Sequence, residues 1–146
     1  MFFVKEMKVI YRKVETQNNY NNVSFCSPEN VVKLVREILG SPTQETFVSL
    51  YLDIKNRLIG YSISAIGTVD SCAVSPRDIF KGALLANASG LIVSHNHPSD
   101  DPTPSYDDNS MTQKISEIGK MLNIKLLDHV IVTDSNFYSF AAHNKL

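Results

Sequence analysis

The sequence predicts an α/β (α+β) fold, with one mixed β-sheet sandwiched by helices. Three observations lead there. The apolar period switches repeatedly between the helical 3.6 and the strand-like 2 along the chain. One run, "SGLIVS", is short and continuously apolar, which suits a strand covered on both faces. The 146 residues are 43% hydrophobic and 20% charged, the balance of one ordinary globular domain with a real core.

Residues from about 2 to 11 have strand composition with some alternation, and "ETQNNYNN" follows as a polar loop and a plausible joint. "SPENVVKLVREILG" reads as a helix: Ser27 as cap, Pro28 at the first position, an apolar stripe of Val31, Leu34, Val35 and Ile38, and Gly40 as terminator. "ETFVSLYLDIKNRLIGYSISAIGT" reads as two strands around a turn at Lys55-Asn56. "SPRDIFKGALLANA" is a second helix, capped by Ser75, with Pro76 and Asp78 in its first turn. The strand "SGLIVS" comes next. Then "SYDDNSMTQKISEIGKMLN" gives a third helix with Met111, Ile115, Ile118 and Leu122 on one side. "IKLLDHVIVTD" is a further strand and "NFYSFAAH" a last one.

Composition excludes several classes of partner and compartment. A net charge of -1, with both signs mixed along the chain, gives no electrostatic argument for nucleic acid or an anionic membrane. Cys26 and Cys72 are far apart and form no Cys-x-x-Cys pair, so they read as partly buried free thiols in a reducing cytoplasm. "MFFVKEMKVIYRK" is too short and too charged for a signal peptide, and no run approaches the roughly 18 apolar residues of a membrane span. The expected location is cytoplasmic.

The stretch "SHNHPSDDPTPSYDD" departs from ordinary loop composition. His95 and His97, two apart at the end of a strand, point to one side and could converge on one point. His-x-His alone is weak evidence, and two satisfied structural histidines are an equal reading. Pro98, Pro102 and Pro104 stiffen the loop that follows. It delivers Ser105 and Asp108 to the start of a helix, where Ser-x-x-Asp also reads as a simple capping box. Capping and metal binding can coexist, since a first-turn carboxylate suits the helix dipole. Two imidazoles and one carboxylate would leave a fourth tetrahedral position open, the pattern of catalytic rather than structural zinc. Such a site needs a general base from elsewhere in the chain.

His95-Asn96-His97-Pro98 followed by Ser105-Tyr106-Asp107-Asp108 resembles the JAMM motif, His-x-His-x7-Ser-x2-Asp, of the JAB1/MPN metalloprotease superfamily. With "LYLDIKNRLI", "GTVDSCAVSPRDIFKGALLANASGLIV" and "LLDHVIV", the wording is similar to the RadC branch over about residues 42 to 142. The resemblance implies a JAB1/MPN fold, itself similar to that of cytidine deaminase. It implies residues 1-41 as an N-terminal strand and helix extension and residues 42-146 as a RadC-like catalytic domain. It implies Zn2+ held by His95, His97 and Asp108, with Asp107 the nearest rival ligand. It implies Ser105 steadying the water or oxyanion, and Glu45, at the head of "ETFVSLYLD", as base. By its own sequence context Glu45 could equally be a solvent-facing edge residue.

Two departures from the family pattern stand out. The family usually has Ser-Gly-Asp after His-Pro, and here Ser99-Asp100-Asp101 stands in its place. Aspartate tolerates the left-handed region better than most residues and adds a negative charge. RadC-like proteins also carry an N-terminal helix-hairpin-helix region associated with DNA. The residues before Glu45 hold one predicted helix and no glycine-centred hairpin, so the expectation is a short, stand-alone catalytic domain.

The remaining candidates take structural readings. His129 and Asp128 are expected as hydrogen-bonding residues near the sheet, His143 as solvent-exposed, and Asn96 as facing away from its neighbouring histidines. Phe47, Tyr51 and Tyr61 are expected in the core. The function implied is hydrolysis of an amide bond in a peptide, isopeptide or small amide conjugate, by zinc-activated water. A DNA-repair or DNA-processing accessory of the RadC type and a non-catalytic binding module are the alternatives. Nucleobase deamination requires His-x-Glu and Pro-Cys-x-x-Cys, which the chain does not contain.

Overall fold

The computed structural model describes residues 1–67 and 74–146. Cys72 lies outside the described residues. The elements run α1 (Pro28–Leu39), β1 (Thr46–Leu52), β2 (Leu58–Ile66), α2 (Pro76–Leu85), β3 (Gly90–Asn96), α3 (Tyr106–Leu122), β4 (Lys125–Val132) and β5 (Phe137–Ser139). They build a five-stranded sheet in the order β2-β1-β3-β4-β5. Only β3 and β4 pair in parallel; the other neighbours are antiparallel. The sheet is therefore mixed, as predicted.

Alternation along the central strands divides the core in two. Val48, Leu50, Leu52, Ile92, Val130 and Val132 face α1, whose Val31, Val32, Leu34 and Val35 cover them. Phe47, Tyr51, Leu91 and Val93 face the other way, toward Ile79, Phe80 and Ala83 of α2 and Ile115 of α3. Every residue of β3 is buried, which explains its unbroken apolar run. Two glycines set how closely the layers approach. A Cβ on Gly82 would sit 2.0 Å from the Tyr51 hydroxyl, and one on Gly119 would sit 2.3 Å from the Ile124 carbonyl oxygen.

β4 carries an irregularity that matters for the site. Leu91 pairs with Leu126, but Ile92 pairs with Asp128, so β4 holds one extra residue at Leu127. The bulge shifts the alternation by one. His129 then pairs with Val93 and turns to the same face as His95.

Several expectations need correction. Residues 1–17 are exposed and form no ladder, so the strand expected over about 2–11 does not exist here. Alternation supplies strand propensity, but a strand needs a partner. Among the described residues the outer edge of β2 has no partner strand, and this arm instead rests the Tyr11 ring beside Gly60. The polar loop that follows is tied down, because Gln17 N–H and the Tyr20 hydroxyl donate to Glu37 at 2.8 and 2.7 Å, and Asn18 donates to it as well. Ser27 occupies the cap position of α1 without a side-chain cap bond, whereas Ser75 accepts from Arg77 N–H. Cys26 is exposed rather than partly buried. Leu122 is 40% exposed, so the buried side of α3 ends at Gly119.

Candidate metal centre

The C-terminal end of β3 leads straight into the site. His95 is buried on the α3 side of the sheet, and His97 follows at the first loop position, where its N–H bonds to the Val132 carbonyl at 3.0 Å. The loop then turns at Asp100, which adopts φ 62°. Its carboxylate accepts from Ser135 N–H at 3.1 Å and from the Ser135 hydroxyl at 2.8 Å. Aspartate thus holds the left-handed turn, and its charge is tied to Ser135. These hydrogen bonds hold the Asp100 carboxyl below its ordinary range.

At the far end of the loop, Ser105 and Asp108 form the predicted capping box. The Ser105 Oγ accepts from Asp108 N–H at 3.0 Å, and Asp108 Oδ2 accepts from Ser105 N–H at 2.8 Å. The same carboxylate faces both imidazoles, with Oδ1 3.2 Å from His95 Nε2 and Oδ2 3.3 Å from His97 Nε2. The two Nε2 atoms are 3.0 Å apart. Capping and clustering therefore coexist on one side chain. Asp107 is exposed and outside the cluster.

This donor set fits a zinc ion. A tetrahedral ion with bonds of about 2.0–2.2 Å has ligand–ligand edges of about 3.3–3.6 Å. The three separations fall within a few tenths of an ångström of that. Each outer nitrogen is already engaged. His97 Nδ1 bonds to the Asp101 carbonyl at 2.8 Å, and His95 Nδ1 lies 2.8 Å from His129 Nε2. The inner atoms are then all acceptors unless a proton or a cation lies among them.

Titration reflects this crowding. Burial pushes the Asp108 carboxyl up, but hydrogen bonds with His95 and His97 and the charge of His95 outweigh it, holding the group well below the usual carboxylate range. Burial pushes His97 down, yet its bonds to Asp108 and to the Asp101 carbonyl, with the charges of Asp108 and Glu45, leave it raised. His129 is fully buried, and that burial, with the charge of His95, keeps it neutral far below the ordinary imidazole value.

Glu45 is half-buried just ahead of β1, and its charge is felt at His97. Its backbone is pinned on both sides. Asn96 accepts from Thr46 N–H at 2.7 Å and donates to the Gln44 carbonyl at 3.1 Å, while the Glu45 carbonyl accepts from Gly67 N–H at 2.7 Å. Asn96 thus faces away from the histidines, as alternation requires, and fastens the segment that carries Glu45. Ser105 is exposed at the helix start, and its hydroxyl proton is not used by the capping box.

Sequence reasoning did not connect His129 or Thr112 to this centre. His129 Nδ1 lies 2.6 Å from the Thr112 hydroxyl, which donates to the Asp108 carbonyl at 2.7 Å. Phe47 stacks on His95 and Phe140 on His129, with centroids 5.7 and 4.8 Å apart. Asp128 is the structural acceptor expected, bonding to the Ser139 hydroxyl at 2.6 Å and Ala141 N–H at 3.0 Å. His143 is exposed and stacks on Tyr138 at 4.1 Å. Phe47 and Tyr51 lie in the core and Tyr61 packs against it.

Comparison with known proteins places this geometry. The family model of the RadC-like JAB domain matches residues 25–146, which takes in α1 as well as the sheet and the cluster. A UPF0758 protein of Halalkalibacterium halodurans is 41% identical over 128 residues, covering 88% of this chain and 55% of that protein. A UPF0758 protein of Methanosarcina acetivorans is 39% identical over 88% of this chain and 56% of its own length. One from Carboxydothermus hydrogenoformans is 43% identical over 84% of this chain and 54% of its own. The chain thus spans about half the length of the curated relatives it matches. From the helix-flanked mixed sheet, the matched residues and these identities together, the chain belongs to the RadC-like JAB domain family and has a JAB/MPN-type fold.

Proposed function

We propose that this domain is a zinc-dependent hydrolase of amide bonds, acting on a peptide, an isopeptide or a small amide conjugate. One observation carries the reading. Two imidazole nitrogens and a carboxylate converge at 3.0, 3.2 and 3.3 Å, on side chains no more than 14% exposed. His95, His97 and Asp108 would hold the ion. When bound, zinc supplies a Lewis acid that polarises a carbonyl and lowers the pKa of a water to about 7.

The chain's own groups supply the proton traffic. Glu45 accepts a proton from the attacking water as the oxygen bonds to the carbonyl carbon. It returns that proton to the amine nitrogen as the C–N bond breaks. The free hydroxyl proton of Ser105 is available to the developing oxyanion. The Asn96 clamp on Gln44 and Thr46 limits the backbone freedom of Glu45, which favours a fixed approach.

Elemental analysis tests the metal, and a peptide and isopeptide panel tests the chemistry. About one zinc per chain is expected, with loss in His97→Ala. Glu45→Gln should retain zinc and lose at least about a hundredfold in turnover, the scale of a general base. Wild-type protein without zinc after zinc is supplied sinks the metal; full turnover in Glu45→Gln sinks the assigned base.

A further inference from the structure

We propose that His129 and Thr112 form a positioning relay that fixes the tautomer of His95 and couples it to the helix carrying Asp108. The inference rests on the zinc reading of the cluster. It assigns a role to two buried residues that touch neither the ion's face nor substrate.

With the Thr112 proton placed on the Asp108 carbonyl, proton counting along the chain of bonds has one solution. A backbone carbonyl can only accept, and the Thr112 hydroxyl donates to that of Asp108 at 2.7 Å. A hydroxyl has a single proton, so Thr112 must accept from His129, 2.6 Å away. His129 therefore carries its proton on Nδ1, and its Nε2 is an acceptor. That Nε2 lies 2.8 Å from His95 Nδ1, so His95 must carry its proton there. His95 Nε2, which faces Asp108 Oδ1 and His97 Nε2, is then the nitrogen that can release its proton and offer its lone pair to an ion.

The relay therefore begins at one ligand and ends on the backbone of another. His95 belongs to β3, His129 to β4, and Thr112 and Asp108 to α3. Three short bonds brace the first turn of α3 against the two parallel strands. The braced helix turn is the one that presents the Asp108 carboxylate. The aromatic rings of Phe47 and Phe140 stack on the two imidazoles, which opposes rotation of either out of line. The bulge at Leu127 is what puts His129 on this face. Outer-shell partners of this kind commonly set ligand orientation and cost roughly 10–100-fold in metal affinity when removed.

Two measurements on the full chain test the relay. Long-range proton–nitrogen correlation spectra of the metal-free wild-type protein read which ring nitrogens are protonated. Protons on Nδ1 of His129 and on Nδ1 of His95 are expected; a proton on Nε2 of His129 overturns the relay. Zinc affinity, by competition with a chromophoric chelator, is then compared in wild type, Thr112→Val and Thr112→Ser. Thr112→Val should bind zinc about 10–100-fold more weakly, while Thr112→Ser, which keeps the hydroxyl, restores wild-type affinity. Wild-type affinity in Thr112→Val, with or without a lowered melting temperature, overturns the relay and leaves the zinc reading intact. A wild-type protein that binds no zinc overturns both.

Discussion

Asp100 shows how one residue can satisfy a backbone demand and add a bond of its own. At φ 62° it sits where L side chains are strained and glycine is not. Its carboxylate offsets that strain by accepting twice from Ser135, which ties the loop after His97 to the segment after β4. Replacing it separates the two effects. Asp100→Ala loses the bonds and keeps the strain, whereas Asp100→Gly loses the bonds and relieves the strain. Thermal unfolding should therefore rank wild type and Asp100→Gly above Asp100→Ala. An alanine variant as stable as the glycine variant would show that the turn is not under strain.

At the scale of elements, close approach is set by missing side chains. Gly82 lets α2 lie directly on Tyr51 of β1, and Gly119 lets the end of α3 meet the Ile124 carbonyl. An added methyl has nowhere to go in either place. Gly82→Ala and Gly119→Ala should each destabilise by about 1–3 kcal/mol in chemical denaturation, the range for overpacking a dense interior. An unchanged midpoint for either would contradict the packing described.

Elements are also where the sequence was most and least legible. The helices were readable because caps, prolines and apolar stripes agree locally, as at Ser75, Pro76 and Ile79. The continuous run of β3 announced a strand buried on both faces. The cluster was readable because spacing within one loop brings His95, His97 and Asp108 together. His129 was not, because its face depends on one extra residue in β4, and a register shift leaves no mark in hydrophobic alternation. The role of Asn96 was hidden for a different reason: its partners are backbone groups of Gln44 and Thr46, which have no sequence signature. The arm at residues 1–17 misled because propensity was present and a partner was not.

For the whole molecule, His97 and His129 together predict how pH acts on stability. In the metal-free protein the His97 pKa is raised, so it contributes stability that is complete below about pH 6.5 and is lost as pH rises through its folded value. The His129 pKa is lowered, so the unfolded chain takes up a proton below about 6.5 that the fold refuses, and stability falls there. Their joint contribution peaks near pH 6.5. Zinc reverses the alkaline side, because binding requires His97 to shed its proton. Melting temperatures from pH 6.5 to 8.5 should fall in chelator and rise with zinc present. Parallel curves in the two conditions would separate the ion from His97.

The loop between β3 and α3 has one more consequence, for the entropy of assembly. The three cluster residues lie between positions 95 and 108, joined by a segment that three prolines have already stiffened. Closing so short and rigid a loop costs little chain freedom, so bringing the three side chains together draws mainly on local order, with the relay through β4 holding their orientation. Glu45 is brought in from far upstream, by the pairing of β1 with β3 and by the Asn96 clamp. Its position draws on the integrity of the sheet. Retention of the ion needs the β3–β4 pair that the relay braces, whereas readiness for chemistry also needs β1. As β1 loosens from β3, the capacity to react fades before the capacity to hold.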